Sequence, residues 1–147
     1  GKPVLYVFNT QNPDTWKPDV QVENYITLNI KLEDEIAQMG DEAGELQNES
    51  HASDLITKAY EVVGLITFLT TGEDETRAWA IPKDSTAPRA GRAIHSDFEE
   101  KFIRAEVINW QKLMEAESWN KAKELGWIRT EGKEYAVKDG DVMEFKI

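Results

Sequence analysis

Apolar and polar positions divide the chain into two rhythms. Pro3-Val4-Leu5-Tyr6-Val7-Phe8 is an unbroken apolar run closed by Asn9 and Thr10, the pattern of a strand covered on both faces. Gln11 to Pro18 is polar and holds Asn12-Pro13 and a second proline, which predicts a loop. Tyr25, Thr27 and Asn29 alternate with Ile26, Leu28 and Ile30, so Tyr25–Ile30 reads as a second short strand. Leu32, Ile36 and Met39 recur at i, i+4 and i+7 with acidic residues between them, one apolar stripe of a helix. Gly40 to Ser50 is acidic and contains glycines, which predicts a loop or a frayed helix end. Ser53 can cap a helix from Asp54, with Leu55, Ala59, Tyr60 and Val63 inward and Gly64 as its stop.

After Gly64 the pattern changes. Leu65–Thr70 and Thr76–Ile81 are strand-like and are joined by Thr71-Gly72-Glu73-Asp74-Glu75, a hairpin loop. Thr86 opens a short helix that tolerates Pro88 in its first turn and places Ala90 and Ile94 on one face. Phe102–Ile108 reads as a third strand, and 111–126 as helix interrupted near Glu117-Ser118 and ended by Gly126. Tyr135–Val137 and Val142–Phe145 flank Asp139-Gly140, a hairpin signal. Strand, strand, helix, strand, helix, strand, strand is an α+β order, and its hairpin–helix–strand start suits a ubiquitin-like β-grasp. The reading is an α/β segment over 1–64 followed by a β-grasp domain over 65–147.

Composition narrows the function classes. The chain has 147 residues, 40% of them apolar, enough for a real core. No run approaches the ~18 apolar residues of a membrane span, and the start lacks the features of a signal peptide. No membrane role is expected. The absence of cysteine excludes disulfides, thiolate metal sites and a Cys nucleophile, and fits a reducing cytoplasm. A net charge of −11 disfavours non-specific nucleic-acid binding by the whole chain. That charge is uneven. Residues 1–64 carry four basic and twelve acidic side chains, a net of −8, whereas 65–147 carry thirteen and sixteen, a net of −3. Within 77–95, Arg77, Lys83, Arg89 and Arg92 face a single acid, Asp84.

Several residues are candidates for chemistry. Open α/β sheets bind ligands beyond the carboxyl ends of their strands. Asn9 stands at one such end, and Asn29 with Lys31 near another. An amide there can read a purine edge, and a lysine stem can cover its face; Asn is equally common simply as a loop-starting residue. Neither G-x-x-x-x-G-K-[ST] nor G-x-G-x-x-G occurs, so phosphoryl transfer has no machinery in these residues. His95-Ser96-Asp97 places three catalytic types side by side, but triad members come from separate segments, and a capping role suits His95 better. A small hydrolase built on His95 and Asp97 is therefore a minor alternative. Asp139-Gly140-Asp141 lacks the ligand spacing of a calcium loop. Arg77, Lys83, Arg89 and Arg92 can form a basic face near Trp79 and His95 that touches RNA phosphates, or an ordinary solvated face with ion pairs.

Longer motifs carry a family resemblance. Leu65-Ile66-Thr67-Phe68-Leu69-Thr70-Thr71-Gly72 and Arg77-Ala78-Trp79 resemble the C-terminal region of the YchF (Obg-like) P-loop ATPases. So do Thr86-Ala87-Pro88, Ile94-His95-Ser96-Asp97-Phe98-Glu99, Phe102-Ile103-Arg104-Ala105-Glu106-Val107, Glu131-Gly132-Lys133 with Tyr135, and Asp139-Gly140-Asp141-Val142-Met143. Upstream, Lys2-Pro3-Val4-Leu5-Tyr6-Val7 resembles the strand that re-enters that family's nucleotide domain. Asn9 matches the first position of its N-x-x-E base-reading motif, with Asn12 where the family has Glu, and Lys31 is what remains of a Ser-Ala-Lys-type loop. Lys101 stands where the family usually has Gly, and 109–130 matches poorly.

The resemblance implies a TGS domain, a β-grasp module, over 65–147, preceded over 1–64 by the last part of a nucleotide-binding domain. It implies a cytoplasmic, ribosome-associated protein that binds ATP or GTP with Mg when full-length. The phosphate loop belongs to a missing N-terminal nucleotide domain, so this chain is expected to have no complete NTPase site and to be inactive alone. Asn9 and Lys31 are then remnants of the base pocket, and Arg77, Lys83, Arg89, Arg92 and Arg104 the contact for ribosome or structured RNA. The rival is a free-standing TGS-type adaptor for a protein partner or small ligand.

Overall fold

A computed structural model of the chain describes residues 2–72 and 75–147. They form two compact units, Gly1–Val63 and Gly64–Ile147.

The first unit is built on two parallel strands, β1 (Tyr6–Asn9) and β2 (Tyr25–Leu28). Phe8 packs against Trp16 and Tyr25, with ring centroids 5.2 and 6.0 Å away. The strand is not covered on both faces, as the apolar run predicts. Val4, Tyr6 and Val7 are about half exposed, because β2 is the only strand beside β1 among the described residues. The second strand also ends two residues early. Asn29 leaves it to cap helix α1 (Ile30–Met39), its side-chain oxygen accepting from the Leu32 N–H at 3.2 Å. Gly40–Glu49, expected as a loop or a frayed helix end, is 3₁₀ helix that follows directly on α1 and is kinked at Gly44. Helix α2 (Ala52–Val63) starts before the predicted Ser53 cap. Its entry is held by Glu33 of α1, whose carboxylate accepts from the Ser50 hydroxyl and the His51 N–H, both at 2.6 Å. Ile36 is buried, but Met39, Tyr60 and Val63, predicted inward, are exposed.

The second unit holds a five-stranded mixed sheet in the order β4-β3-β7-β5-β6. The strands are β3 (Leu65–Thr71), β4 (Thr76–Pro82), β5 (Arg104–Asn109), β6 (Arg129–Glu131) and β7 (Asp141–Lys146). The first and last strands of the unit lie side by side and parallel, and the other pairs are antiparallel. A hairpin, a crossing helix and a parallel central return make this an α+β β-grasp arrangement. The tip of the predicted hairpin, Glu73 and Asp74, lies outside the described residues.

Each sheet face has its own core. Phe68, Ile81, Ala105, Val107 and Met143 pack with Ala87 and Ala90 of helix α3 (Ala87–Ile94) and with Phe102. Burying a side chain of Phe, Ile or Val size contributes about 1.5–3 kcal/mol. Gly91 lets α3 lie close to the sheet, since a Cβ there would sit 2.9 Å from Phe98 Cβ and 3.3 Å from the Phe145 ring. On the other face, Ile108 and Val142 pack with Ala116 of α5 (Trp110–Ala116) and Ala122 of α6 (Trp119–Glu124). The predicted interruption falls where it should: Glu117 is left-handed, and the Ser118 hydroxyl caps α6 by accepting from the Lys121 N–H.

Two sequence expectations fail in this unit. Tyr135–Val137 is not a strand and makes no hairpin with Val142–Phe145; β7 instead pairs with β3 and β5. The Asp139-Gly140 turn is tied to β3, for Thr67 N–H donates to the Asp139 carboxylate at 2.8 Å and Gly140 N–H to the Thr67 carbonyl at 2.8 Å. The edge strand β6 falls in the stretch the sequence left without a strand.

Candidate functional sites

The first candidate lies at the carboxyl ends of β1 and β2. An open cleft of about 480 Å³ is lined by Asn9, Thr10, Gln11, Asn29, Lys31, Leu32 and Glu35. Asn9 and Lys31 therefore meet at one concavity. The Asn9 side-chain oxygen accepts from the Ile30 N–H at 3.1 Å, which spends its acceptor on the start of α1 and leaves its amide N–H groups as donors. Asn29 uses its own oxygen on Leu32. Lys31 stands 3.6 Å from Glu35, with both side chains largely exposed, a pair of little strength. The lining thus offers an amide donor from Asn9 and the lysine side chain of Lys31. Among the described residues it has no cradle for phosphates. Asn12 is absent from this lining and serves a turn, its carbonyl accepting from the Trp16 N–H.

The second candidate is the group of cations on the β-grasp unit. Arg77, Trp79 and Ile81 share the sheet face that α3 covers, and the Arg77 guanidinium lies over the Trp79 ring, 4.4 Å from its centroid. Trp79 is fixed in turn by donating its indole N–H to Thr70 at 2.9 Å. Arg89 and Arg92 are on the exposed side of α3, opposite buried Ala87, Ala90 and Gly91. Arg92 is paired with Glu99 at 2.8 Å. Lys83 follows β4 at the end far from Arg77, about 20 Å away for six residues of strand. Arg104 is elsewhere. It alternates with Glu106 and Ile108 on the α5–α6 face of the sheet. The five cations thus form a spread set on two faces, not one pocket.

His95 takes the capping role: its ring nitrogen accepts from the Asp97 N–H at 3.2 Å at the start of α4 (Ser96–Glu100). Asp97 is occupied by Lys101 at 2.7 Å, and that hydrogen bond holds its carboxyl below the usual range. Lys101 itself has φ −102°, open to any residue, so no glycine is required there. Among the described residues no group of three His, Cys, Asp or Glu side chains is placed to hold a metal.

Two features escape sequence reasoning. A concavity of about 870 Å³ opens on the α5–α6 face between Trp110, Met114, Trp119 and Leu69. Beside it runs a network around Asp141, which is only 2% exposed. Tyr135 donates its hydroxyl to Asp141 at 2.7 Å, the Lys138 N–H donates at 2.9 Å, and Arg129 donates to the Tyr135 hydroxyl at 3.0 Å. Burial first, and then the bond to Asp141, pushes the Tyr135 hydroxyl up to about 12. Asp-Gly-Asp reads as a turn in sequence, and only the fold shows that its second Asp is buried.

Comparisons with known proteins agree on one family. The family YchF-GTPase_C, described as a protein of unknown function (DUF933), matches residues 65–147, more than half of the chain. The chain is 37% identical over 165 residues to the protein named ribosome-binding ATPase YchF of Bacillus subtilis (strain 168), covering 99% of this chain and 45% of that one. It is 36% identical over 162 residues to the protein of that name in Haemophilus influenzae, covering 99% of this chain and 44% of that one. The chain thus spans less than half the length of these relatives. Among solved structures, the Schizosaccharomyces pombe YchF GTPase superposes with a TM-score of 0.73 at 31% identity, covering 84% of this chain and 34% of that chain. The chain belongs to the YchF family and corresponds to its C-terminal portion.

Proposed function

We propose that this chain is the binding portion of a ribosome-associated YchF-type nucleotide-binding protein. The observation that carries this reading is the exposed cationic surface of Arg77, Arg89 and Arg92 on the β-grasp unit, together with the name of the relatives, ribosome-binding ATPase; that unit is then a TGS domain. Local cations on a domain of net −3 contact phosphates selectively, where a uniformly basic protein would bind any nucleic acid. Lys83 extends this surface. Arg104, on the other sheet face, makes a separate and lesser contact.

The first unit contributes the base end of a nucleotide site. Asn9 offers amide donors to a purine edge, and Lys31 offers its aliphatic stem to the ring face. ATP or GTP with Mg would be the ligand of the full-length protein, and the groups for its phosphates would come from outside these residues. The nucleotide supplies the phosphoryl group that is transferred; this chain only orients its base. The isolated chain is accordingly inactive, and Mg-dependent phosphate release from pure protein would overturn that part of the reading. We place the protein in the cytoplasm, where ribosomes are. Among the described residues no helix is long and apolar enough to cross a membrane.

Co-sedimentation tests the ribosome contact. The combined substitutions Arg77→Glu, Arg89→Glu and Arg92→Glu should lower the fraction pelleting with ribosomes by about tenfold or more at moderate salt, the loss expected for several phosphate contacts. Arg104→Glu should have a smaller effect. Equal pelleting of the triple variant and the parent would refute the assignment and favour an adaptor that binds protein.

A further inference from the structure

A pocket of about 280 Å³ opens where β5 ends and β6 and β7 begin, lined by Asn109, Lys112, Trp127, Arg129, Lys138, Asp139 and Asp141. None of the α3 or β4 cations lines it. Its two acids are hydrogen-bonded within the fold but keep their charge, so the lining carries a net of +1, three cations against two carboxylates. Asp139 accepts from the Thr67 N–H, and Asp141 accepts from Tyr135 and from the Lys138 N–H. Its three cations differ in their pairing. Lys112 and Lys138 have no ion pair among the described residues. Arg129 is held in place by Glu131 and Tyr135, each at 3.0 Å, and stands 3.7 Å from the Asp141 carboxylate, with guanidinium N–H groups left to donate. Trp127 is half-buried and packed on the α5–α6 core, a fixed aromatic wall beside the positive groups.

A guanidinium fixed by its partners, two ammonium groups without ion pairs and an indole beside them suit a phosphate joined through a sugar to a flat aromatic base. The small volume limits the occupant to a single nucleotide. We propose that this pocket binds a nucleoside phosphate, with the phosphate on Lys112, Arg129 and Lys138 and the base against Trp127. The same chemistry is presented by a free mononucleotide and by the phosphorylated end of an RNA strand.

Indole N–H resonances of the full chain give the test, with the Trp127 signal assigned through Trp127→Phe. AMP should shift the Trp127 signal in a saturable way, inorganic phosphate should compete, and adenosine at equal concentration should not reproduce the shift. Lys112→Ala with Lys138→Ala, both at exposed positions, should weaken AMP binding by about tenfold or more while the remaining spectrum stays folded. A short oligoribonucleotide with and without a 5′-phosphate separates the sources. Tighter binding of the phosphorylated strand than of AMP identifies an RNA end, and the reverse identifies the free nucleotide; either supports the site. No Trp127 shift with AMP or the phosphorylated strand, an equal shift with adenosine, or undiminished affinity in the double variant would overturn it. The ribosome-pelleting result does not enter this test, so the two readings fail separately.

Discussion

Asp141 shows how much one buried carboxylate can organise. It receives the Tyr135 hydroxyl and the Lys138 N–H, and Arg129 stands 3.7 Å from its other oxygen. Asp141→Ala would strand these donors in a half-buried setting and should cost about 2–3 kcal/mol, read as a lower urea midpoint with an unchanged slope. The Tyr135 hydroxyl gives a pH signature. Its value rises from 10 unfolded to about 12 folded, so the fold favours the neutral phenol. That contribution is fully present below pH 10 and is lost as pH rises through 12. Phenolate absorbance should show one tyrosine titrating near 12. In Asp141→Asn that midpoint should fall yet stay above 10, because burial is the larger cause. A Tyr135 midpoint of 10 in the parent would contradict the network.

Elements with local signals were legible in the sequence, and elements defined by distant partners were not. The β3–β4 hairpin, α3 with its inward Ala90, and the break between α5 and α6 all rest on periodicity and caps within a few residues. The Asp139-Gly140 signal was sound as a turn but misleading as a hairpin, because its hydrogen bonds go to Thr67, more than seventy positions earlier. The run before Phe8 carries the hydrophobicity of a covered strand, but only β2 flanks it among the described residues. At the site scale, sequence brought Asn9 and Lys31 to one cleft, while the split of Arg77 from Arg104 follows from strand register, which alternation alone does not fix. The turn before β7 also has a strict geometric need. Gly140 has φ 77°, and a Cβ there would lie 2.6 Å from the Trp110 ring. Gly140→Ala should therefore destabilise the second unit by about 1–3 kcal/mol, visible as a lower melting temperature; an unchanged melt would show the turn to be slack.

Across the whole molecule, charge and architecture divide at the same place. The net of −8 belongs to the unit with the Asn9–Lys31 cleft, and the net of −3 to the β-grasp unit. That division lets an acidic chain keep a local cationic surface. Arg77, Arg89 and Arg92 are proposed to meet ribosomal phosphates, and counterion release reports such contacts directly. Ribosome affinity measured over a range of salt should fall linearly in logarithmic coordinates, and the Arg77→Glu, Arg89→Glu, Arg92→Glu variant should flatten that slope by about two to three. A slope identical to that of the parent would show that these arginines do not meet phosphates.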